Sequence, residues 1–133
     1  MNFLIAVQLV CTDDELVLDV SGIGTLSIPP SRTSGLEPYC GRRVILGIRP
    51  EHMHDASYVP PGVSPHCAVQ AEVSVMERMG SEVFVYLQRY GMELVGRFDP
   101  RTAALPGQWM TVVFDMEKLH LFDAETGYNI FHR

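Results

Sequence analysis

The sequence predicts an all-β fold of short strands, and three observations support this prediction. Apolar residues alternate with period two, turn residues recur frequently, and helical periodicity is nearly absent. The clearest case is the run from Val69 to Val75, where valine and alanine alternate with Gln70, Glu72 and Ser74, which is typical of a strand with one buried face. Short strands with turns about every 8–12 residues are typical of a barrel or sandwich.

The remaining strands follow from the same pattern. The expected strands of the first half are residues 2–10, 15–20, 24–28 and 43–48. Those of the second half are residues 69–75, 83–87, 92–98, 109–114 and 118–122. Gly80 predicts a tight reversal after the first of these, because glycine tolerates the positive φ that such a turn needs. Helix is limited to one turn near residues 100–104.

Three aromatic residues allow alternative interpretations. The strand at 83–87 has apolar residues on both faces, with Phe84 and Tyr86 opposite the valine face, so it is either covered on both sides or meets a partner. Trp109 begins a strand, and we expect it in the core rather than as a ligand platform, because a buried tryptophan supplies a large apolar area.

The length of 133 residues fits one domain, or two small lobes that share a core. The stretch 53–65 contains Pro60-Pro61-Gly62 and Pro65 and shows no alternation, so we expect a loop there. The predicted lobes are residues 1–52 and 66–133, joined by that loop.

Charge and cysteine content exclude several classes of protein. Sixteen acidic residues against ten basic ones give a net charge of −6, and Lys118 is the sole lysine. This composition argues against nucleic-acid binding, which requires lysine and arginine to neutralise phosphates. The three cysteines lie far apart without zinc spacing, so we expect unpaired thiols in a reducing compartment. The first apolar run is too short to span a bilayer and has no basic leader, which indicates a cytosolic domain.

Motifs for catalysis or cofactor binding are not found in the sequence. No phosphate-binding G-x-x-x-x-G-K-[ST] loop is present, and Gly22-Ile23-Gly24 lacks the third glycine of a dinucleotide-binding motif. No G-x-S-x-G nucleophile elbow occurs. We therefore expect no catalytic residue and no cofactor site in this chain.

A short cluster of polar residues after the strand at 43–48 has the correct ligand types for a metal. It contains Glu51, His52, His54 and Asp55. A structural zinc site needs four ligands on a fixed framework, and no cysteine or histidine pair lies nearby at the usual spacing. We therefore favour solvated loop histidines over a metal site. Glu51 and His52 are adjacent on extended chain and point in opposite directions, which disfavours an acid–base pair.

Four segments together resemble the C-terminal accessory region of MalK-type ATPase subunits. Met1-Asn2-Phe3 resembles the opening of that region, and Gly47-Ile48-Arg49-Pro50-Glu51-His52 is similar to its most recognisable motif. The segment 75–82 resembles a V-x-E-x-L-G-x-E hairpin with Met79 in place of leucine, and the segment 119–127 resembles the closing L-H-L-F-D-x-x-T-G. This region is called the TOBE or regulatory domain, and the resemblance implies a barrel of the oligonucleotide/oligosaccharide-binding (OB) type.

The resemblance also implies a function. A MalK-type region is a non-catalytic regulatory and dimerisation domain of the ATP-binding subunit of a bacterial ABC importer for carbohydrates or glycerol 3-phosphate. ATP and Mg would be bound by a nucleotide-binding domain that is absent from this chain, which then begins at the junction with that domain. The implied partners are the nucleotide-binding domain, a second copy, the membrane permease subunits and a regulatory protein, at the cytoplasmic face of the cell membrane.

The candidate interface residues follow from these motifs. They are Arg49, Pro50, Glu51, His52, Glu77, Gly80, Phe122 and Asp123. Arg49 and Glu51 either end a strand in solvent or form charge-assisted contacts across a lobe or subunit boundary. Phe122 and Asp123 are interpreted first as a core residue and a turn residue, and otherwise as part of a dimer contact.

Two other functions remain as alternatives. Related barrels bind small ligands such as oxyanions or sugars, but this chain lacks a Ser/Lys-rich anion pocket, since Lys118 is its sole lysine. Single-stranded nucleic acid requires a basic groove with stacked aromatic residues, and the net charge opposes it.

Overall fold

Residues 1–131 form ten strands and no long helix, which confirms the predicted all-β class. The structure is a computed structural model and describes residues 1–131, apart from the side chain of Ala6. The strands are β1 (Asn2–Cys11), β2 (Leu16–Val20), β3 (Gly24–Ser27), β4 (Arg43–Ile48), β5 (Met53–Asp55), β6 (Ala68–Met79), β7 (Glu82–Arg89), β8 (Met92–Phe98), β9 (Trp109–Phe114) and β10 (His120–Asp123). Within the described residues the helical segments are short 3-10 turns, and no helix there is long and apolar enough to cross a membrane.

The strands are arranged in two five-stranded sheets. One has the order β10-β4-β1-β2-β3 and the other β5-β9-β6-β7-β8. The last strand is inserted beside β4, with Leu121 opposite Leu46 and Phe122 opposite Ile45. Both leucines are fully buried. Burial of this apolar pair stabilises the pairing of β10 with β4.

The chain divides into two compact units. Unit 1 comprises Met1–Asn2 and Ile48–Asp115, and unit 2 comprises Phe3–Gly47 and the described residues from Met116 onward. These segments differ from the predicted lobes 1–52 and 66–133, because β10 returns to β4. The stretch predicted as a loop also begins with β5, which pairs with β9 through Met53 and Phe114. The sequence pattern missed β5 because a strand of three residues is too short to show periodicity.

A β-bulge interrupts β6 in unit 1. Val73 lies opposite Leu87 and Val75 lies opposite Tyr86, so Ser74 is an extra residue in the ladder. Val73 is buried, whereas Val75 is 51% exposed. The expectation that Val75 continues the buried series was therefore wrong, because the inserted residue reverses the side-chain alternation.

The cysteine prediction is also corrected. Cys11 and Cys40 form a disulfide in unit 2, with a Cα–Cα distance of 5.5 Å, and Cys67 lies outside it. The backbone bonds from Gly41 N–H to the Leu9 carbonyl and from Leu9 N–H to the Arg42 carbonyl hold the two segments side by side. A sequence separation of 29 residues concealed this proximity.

Candidate interaction surfaces

The Arg49–His52 motif forms the exit from β4. Arg49 is extended, and Pro50–His52 form a 3-10 turn that leads into β5. Proline suits this place because it occupies the first turn, where its missing N–H is not needed. The N–H of His52 donates to the carbonyl of Arg49 at 2.9 Å, which closes the turn. The motif is therefore a rigid turn between two strands.

The charges of this motif are only partly satisfied within the described chain. Arg49 is exposed and forms no ion pair with another residue of the 1–131 range. A backbone hydrogen bond lowers the pKa of the Glu51 carboxyl, and the charges of His52, Arg97 and Arg49 act in the same direction. Glu51 thus stays ionised, and the exposed guanidinium of Arg49 is available to an external carboxylate.

Two histidines follow in sequence. Burial lowers the pKa of His54, while the charge of Asp115 opposes this effect. The Nδ1 atom of His52 is buried and has no hydrogen-bond partner among residues 1–131. No group of three or more potential metal ligands lies together among the described residues. Asp55 is instead occupied, since its carboxylate accepts hydrogen bonds from the Ser57 N–H and the Thr102 hydroxyl.

The second predicted motif is the hairpin between β6 and β7. Met79 lies opposite Glu82, and Gly80 adopts a φ of 65° in the turn, as the sequence predicted. Glu77 is exposed and lies opposite Phe84. The hairpin therefore presents an acidic side chain beside an aromatic one on the outward face of the sheet.

The third motif contains a turn residue and a half-buried aromatic residue. The Asp123 carboxylate accepts hydrogen bonds from the N–H groups of Glu125 and Thr126 at 2.8 and 3.2 Å. These bonds lower the pKa of Asp123, and the nearby Arg42 guanidinium at 3.8 Å contributes to the same shift. Asp123 is thus a turn former, whereas Phe122 is half-buried and does not belong to the buried core. The preferred interpretation of Phe122 as a core residue was wrong.

Phe122 belongs to an apolar surface of unit 2 that sequence reasoning missed. Its ring contacts Phe3 with 5.8 Å between centroids, and Ile45 lies opposite it on β4. Phe3 and Ile5 are 54% and 64% exposed. We call Phe3, Ile5, Ile45 and Phe122 the apolar face. The run of apolar residues on both sides of β1 was the sequence signal for it.

A shallow cavity of about 390 Å³ lies beside the apolar face. Ile5 and Ile45 line it together with Arg42, Arg43 and Glu125. Both charge signs therefore border the apolar side chains.

Two further corrections concern individual residues. Trp109 is 58% exposed and not a core residue, because it lies opposite Glu72 on the outward side of β6. Asn2 was not predicted as important, yet its buried amide donates to the Ile48 and Val95 carbonyls at 3.2 and 2.8 Å. A polar residue at the start of an apolar strand was the available signal.

Comparison with known proteins agrees with this architecture. A family model described as the MalK OB fold domain matches residues 1–53, and one described as the TOBE domain matches residues 46–122. With its two five-stranded sheets and these two family matches, the chain falls in the class of OB/TOBE domains. It belongs to the MalK-type family of sugar importer ATP-binding subunits, of which it contains the OB and TOBE portion.

Curated relatives cover most of the chain. The trehalose/maltose import ATP-binding protein MalK of Thermococcus litoralis is 43% identical over 70% of this chain and 25% of its own length. The oligosaccharides import ATP-binding protein MsmX of Bacillus subtilis is 36% identical over 82% of this chain and 30% of its own. The chain thus spans about a quarter to three tenths of these relatives.

A solved structure shares the fold at low identity. The cytoplasmic molybdate-binding protein ModG, in a form with molybdate bound, aligns with a TM-score of 0.61 at 14% identity. The alignment covers 90% of this chain and 92% of ModG. This similarity concerns the fold alone.

Proposed function

We propose that the chain is the non-catalytic regulatory and dimerisation domain of the ATP-binding subunit of a bacterial ABC importer for carbohydrates or glycerol 3-phosphate. The relatives named as trehalose/maltose and oligosaccharide import proteins support this substrate class. ATP and Mg are then bound by a nucleotide-binding domain in the same subunit. The domain works at the cytoplasmic face of the cell membrane, next to the permease subunits.

The observation that carries the proposal is the apolar face of unit 2. Phe3 and Ile5 expose more than half of their surface to solvent, and such contiguous apolar patches mark interaction sites. A second copy is the occupant that fits this face. In a two-fold contact the same surface of both copies meets, so each apolar face covers the other. Arg43 and Glu125 at its border offer both charge signs to such a contact.

The mechanism is tethering. Two copies held together by this domain keep their ATP-binding halves close between catalytic cycles. A tether raises the effective concentration of the second half, so closure on ATP costs less entropy than the association of free subunits. A regulatory protein that prefers one arrangement then shifts the balance between open and closed dimers by its differential affinity.

Light scattering across a dilution series tests the self-association. The wild-type chain is expected to change from dimer to monomer on dilution. Arg49→Glu reverses an exposed charge that has no ion pair within residues 1–131. Weaker dimerisation of this variant supports a contact role for the Arg49–His52 motif, and unchanged dimerisation argues against it.

The alternative function is the binding of a small oxyanion or sugar. The specific feature in its favour is the pair Arg42 and Arg43 at the 390 Å³ cavity, since guanidinium groups suit oxyanions. Arg42 already lies 3.8 and 3.9 Å from Asp123 and Glu125 carboxylates, which reduces its availability. Calorimetry with molybdate, sulfate and sugar phosphates distinguishes the two functions, because micromolar binding to a monomeric chain supports the alternative.

A further inference from the structure

The outward face of β6, β7 and β8 in unit 1 carries a continuous row of apolar side chains. Val75 lies opposite Tyr86, and Tyr86 lies opposite Val95. Directly opposed residues on neighbouring strands have their side chains on the same face. Val75 is 51% exposed, and the other two are half-buried. We call these three residues the apolar row.

The bulge at Ser74 creates this row. Val73, before the bulge, is buried with 1% exposure, and the register shift places Val75 on the other face. Bulges reorient the side chains that follow them and often occur at functional positions. A groove of about 570 Å³ lies over the row, and its walls include Glu77 and Glu93.

Acidic side chains border the apolar row on both sides. Glu77 follows Val75 by two residues on β6, and Glu93 precedes Val95 by two residues on β8. Both carboxylates are exposed, and neither forms an ion pair with another residue between 1 and 131. They therefore provide two negative charges that the described chain does not neutralise.

The cation that lies in the cross-strand row of Glu77 already forms an ion pair with another carboxylate. Arg97 shares a cross-strand row with Phe84 and Glu77. Its guanidinium lies 3.4 Å from the Glu82 carboxylate. The groove therefore keeps an acidic border around an apolar centre.

The distances between Glu77, the apolar row and Glu93 predict how the side chains of a ligand must be spaced. Residues two apart in a strand are separated by about 6.7 Å, so the Glu77 and Glu93 rows lie about 13 Å apart along the strand direction, with the apolar row midway. An extended peptide along β7 spans about the same distance between residues i and i+4, whose side chains point to the same face, and long basic side chains reach Glu77 and Glu93 on the two flanking strands, each about 4.8 Å to the side. Residue i+2 then lies over the apolar row.

We propose that this groove binds an extended cationic segment of a partner protein, with basic side chains at positions i and i+4 and an apolar side chain at i+2. Complementary charge orients such a segment, and apolar contact at the centre adds affinity. Nucleic acids and anionic membranes are disfavoured, since carboxylates repel phosphates. This proposal does not depend on the dimer contact proposed above, because it uses none of the residues of the apolar face.

Titration of the isotope-labelled chain by NMR tests the proposal. The probe is an extended peptide of serine and glycine that carries two arginines four positions apart and one leucine midway. We expect amide shifts confined to β6, β7 and β8, with a dissociation constant below about 1 mM, the weak end of measured affinities. Replacement of the leucine by serine, or placement of the arginines side by side, is expected to weaken binding at least about fivefold, an effect close to 1 kcal/mol.

Variants of the chain separate specific binding from general charge attraction. Glu77→Lys with Glu93→Lys is expected to weaken binding at least about tenfold, since two favourable charge contacts become repulsive. The matched control, Asp13→Lys with Asp14→Lys, makes the same change in net charge at exposed positions of unit 2. Equal weakening by both pairs, shifts spread over other strands, or no binding of the probe would overturn the proposal. Loss of self-association in Val75→Ser would also overturn it and identify a second copy as the occupant.

Discussion

The side chain of Asn2 forms a two-way hydrogen bond with the backbone of Val95, a residue 93 positions later. The Val95 N–H donates to Asn2 Oδ1 at 2.7 Å, and Asn2 Nδ2 donates to the Val95 carbonyl at 2.8 Å. The side-chain amide of Asn2 thus pairs with Val95 in the way that the backbone of a neighbouring strand would. The same Nδ2 donates to the Ile48 carbonyl, immediately before the Arg49–His52 motif. Asn2 therefore positions both the edge of β8 and the exit from β4.

Removal of this amide is expected to be costly. Asn2→Ala leaves the N–H and carbonyl of Val95 without these partners, and we expect the free energy of unfolding to fall by about 2 kcal/mol. Urea denaturation measures the change. Gln8→Ala is the control, because it removes one exposed bond to the Gly41 carbonyl and should cost less than about 0.5 kcal/mol. Equal decreases in the free energy of unfolding of the two variants would show that the buried Asn2 hydrogen bonds stabilise the fold no more than an exposed one.

The contact of Gly96 with Phe98 yields a second prediction. A Cβ atom at Gly96 would lie closer to the Phe98 ring than real contacts permit. Gly96→Ala is expected to lower stability by about 1–3 kcal/mol, because the buried ring must move. Phe98→Leu in the same chain should recover part of that loss, which a double-mutant cycle measures. Additive effects of the two substitutions would contradict the contact.

The disulfide provides a third prediction. Cys11→Ser with Cys40→Ser is expected to lower the free energy of unfolding by about 3 kcal/mol, because the bond closes a loop of 29 residues in the unfolded chain. Reductant should have the same effect on the wild type and no effect on the double variant. Thermal unfolding with and without dithiothreitol measures both. A wild-type midpoint that is insensitive to reductant would contradict a stabilising role.

The half-buried position of His54 predicts a pH dependence. Burial holds its pKa below the ordinary 6.5, so between these two values the unfolded chain binds more protons than the folded chain. Stability should therefore fall as the pH decreases from about 6.5 through this window, and level off below the folded pKa. His54→Gln is expected to flatten this step in urea midpoints between pH 7.5 and 5.5, whereas exposed His66→Gln should retain it. A step unchanged by His54→Gln would assign it to another group.

The sequence predicted local features well and long-range features poorly. Alternation on β6 and β7 and the glycine at position 80 are local signals, and the structure confirms both the strands and the hairpin. The outward turn of Val75 depends on the bulge at Ser74, which leaves no trace in an apolar/polar pattern. The exposure of Trp109 was missed for a related reason, since periodicity assigns a residue to a face but does not say whether that face is covered.

The candidate sites show the same limit. The Arg49–His52 motif was predicted from its residues, and the structure locates it at the exit from β4. The apolar face combines side chains from β1, β4 and β10, and the insertion of β10 beside β4 is a long-range pairing. The disulfide and the Asn2 contacts likewise join segments that are distant in sequence.

Sedimentation equilibrium of the wild type, Ile5→Ser and Tyr128→Ser tests the central claim most directly. Ile5 belongs to the apolar face, and Tyr128 is an exposed aromatic residue outside it. The account predicts a dimer for the wild type and for Tyr128→Ser. For Ile5→Ser it predicts at least about tenfold weaker association, because burial of an isoleucine side chain contributes about 2 kcal/mol. A monomeric wild type at every concentration, or a dimer of equal strength in Ile5→Ser, would contradict it.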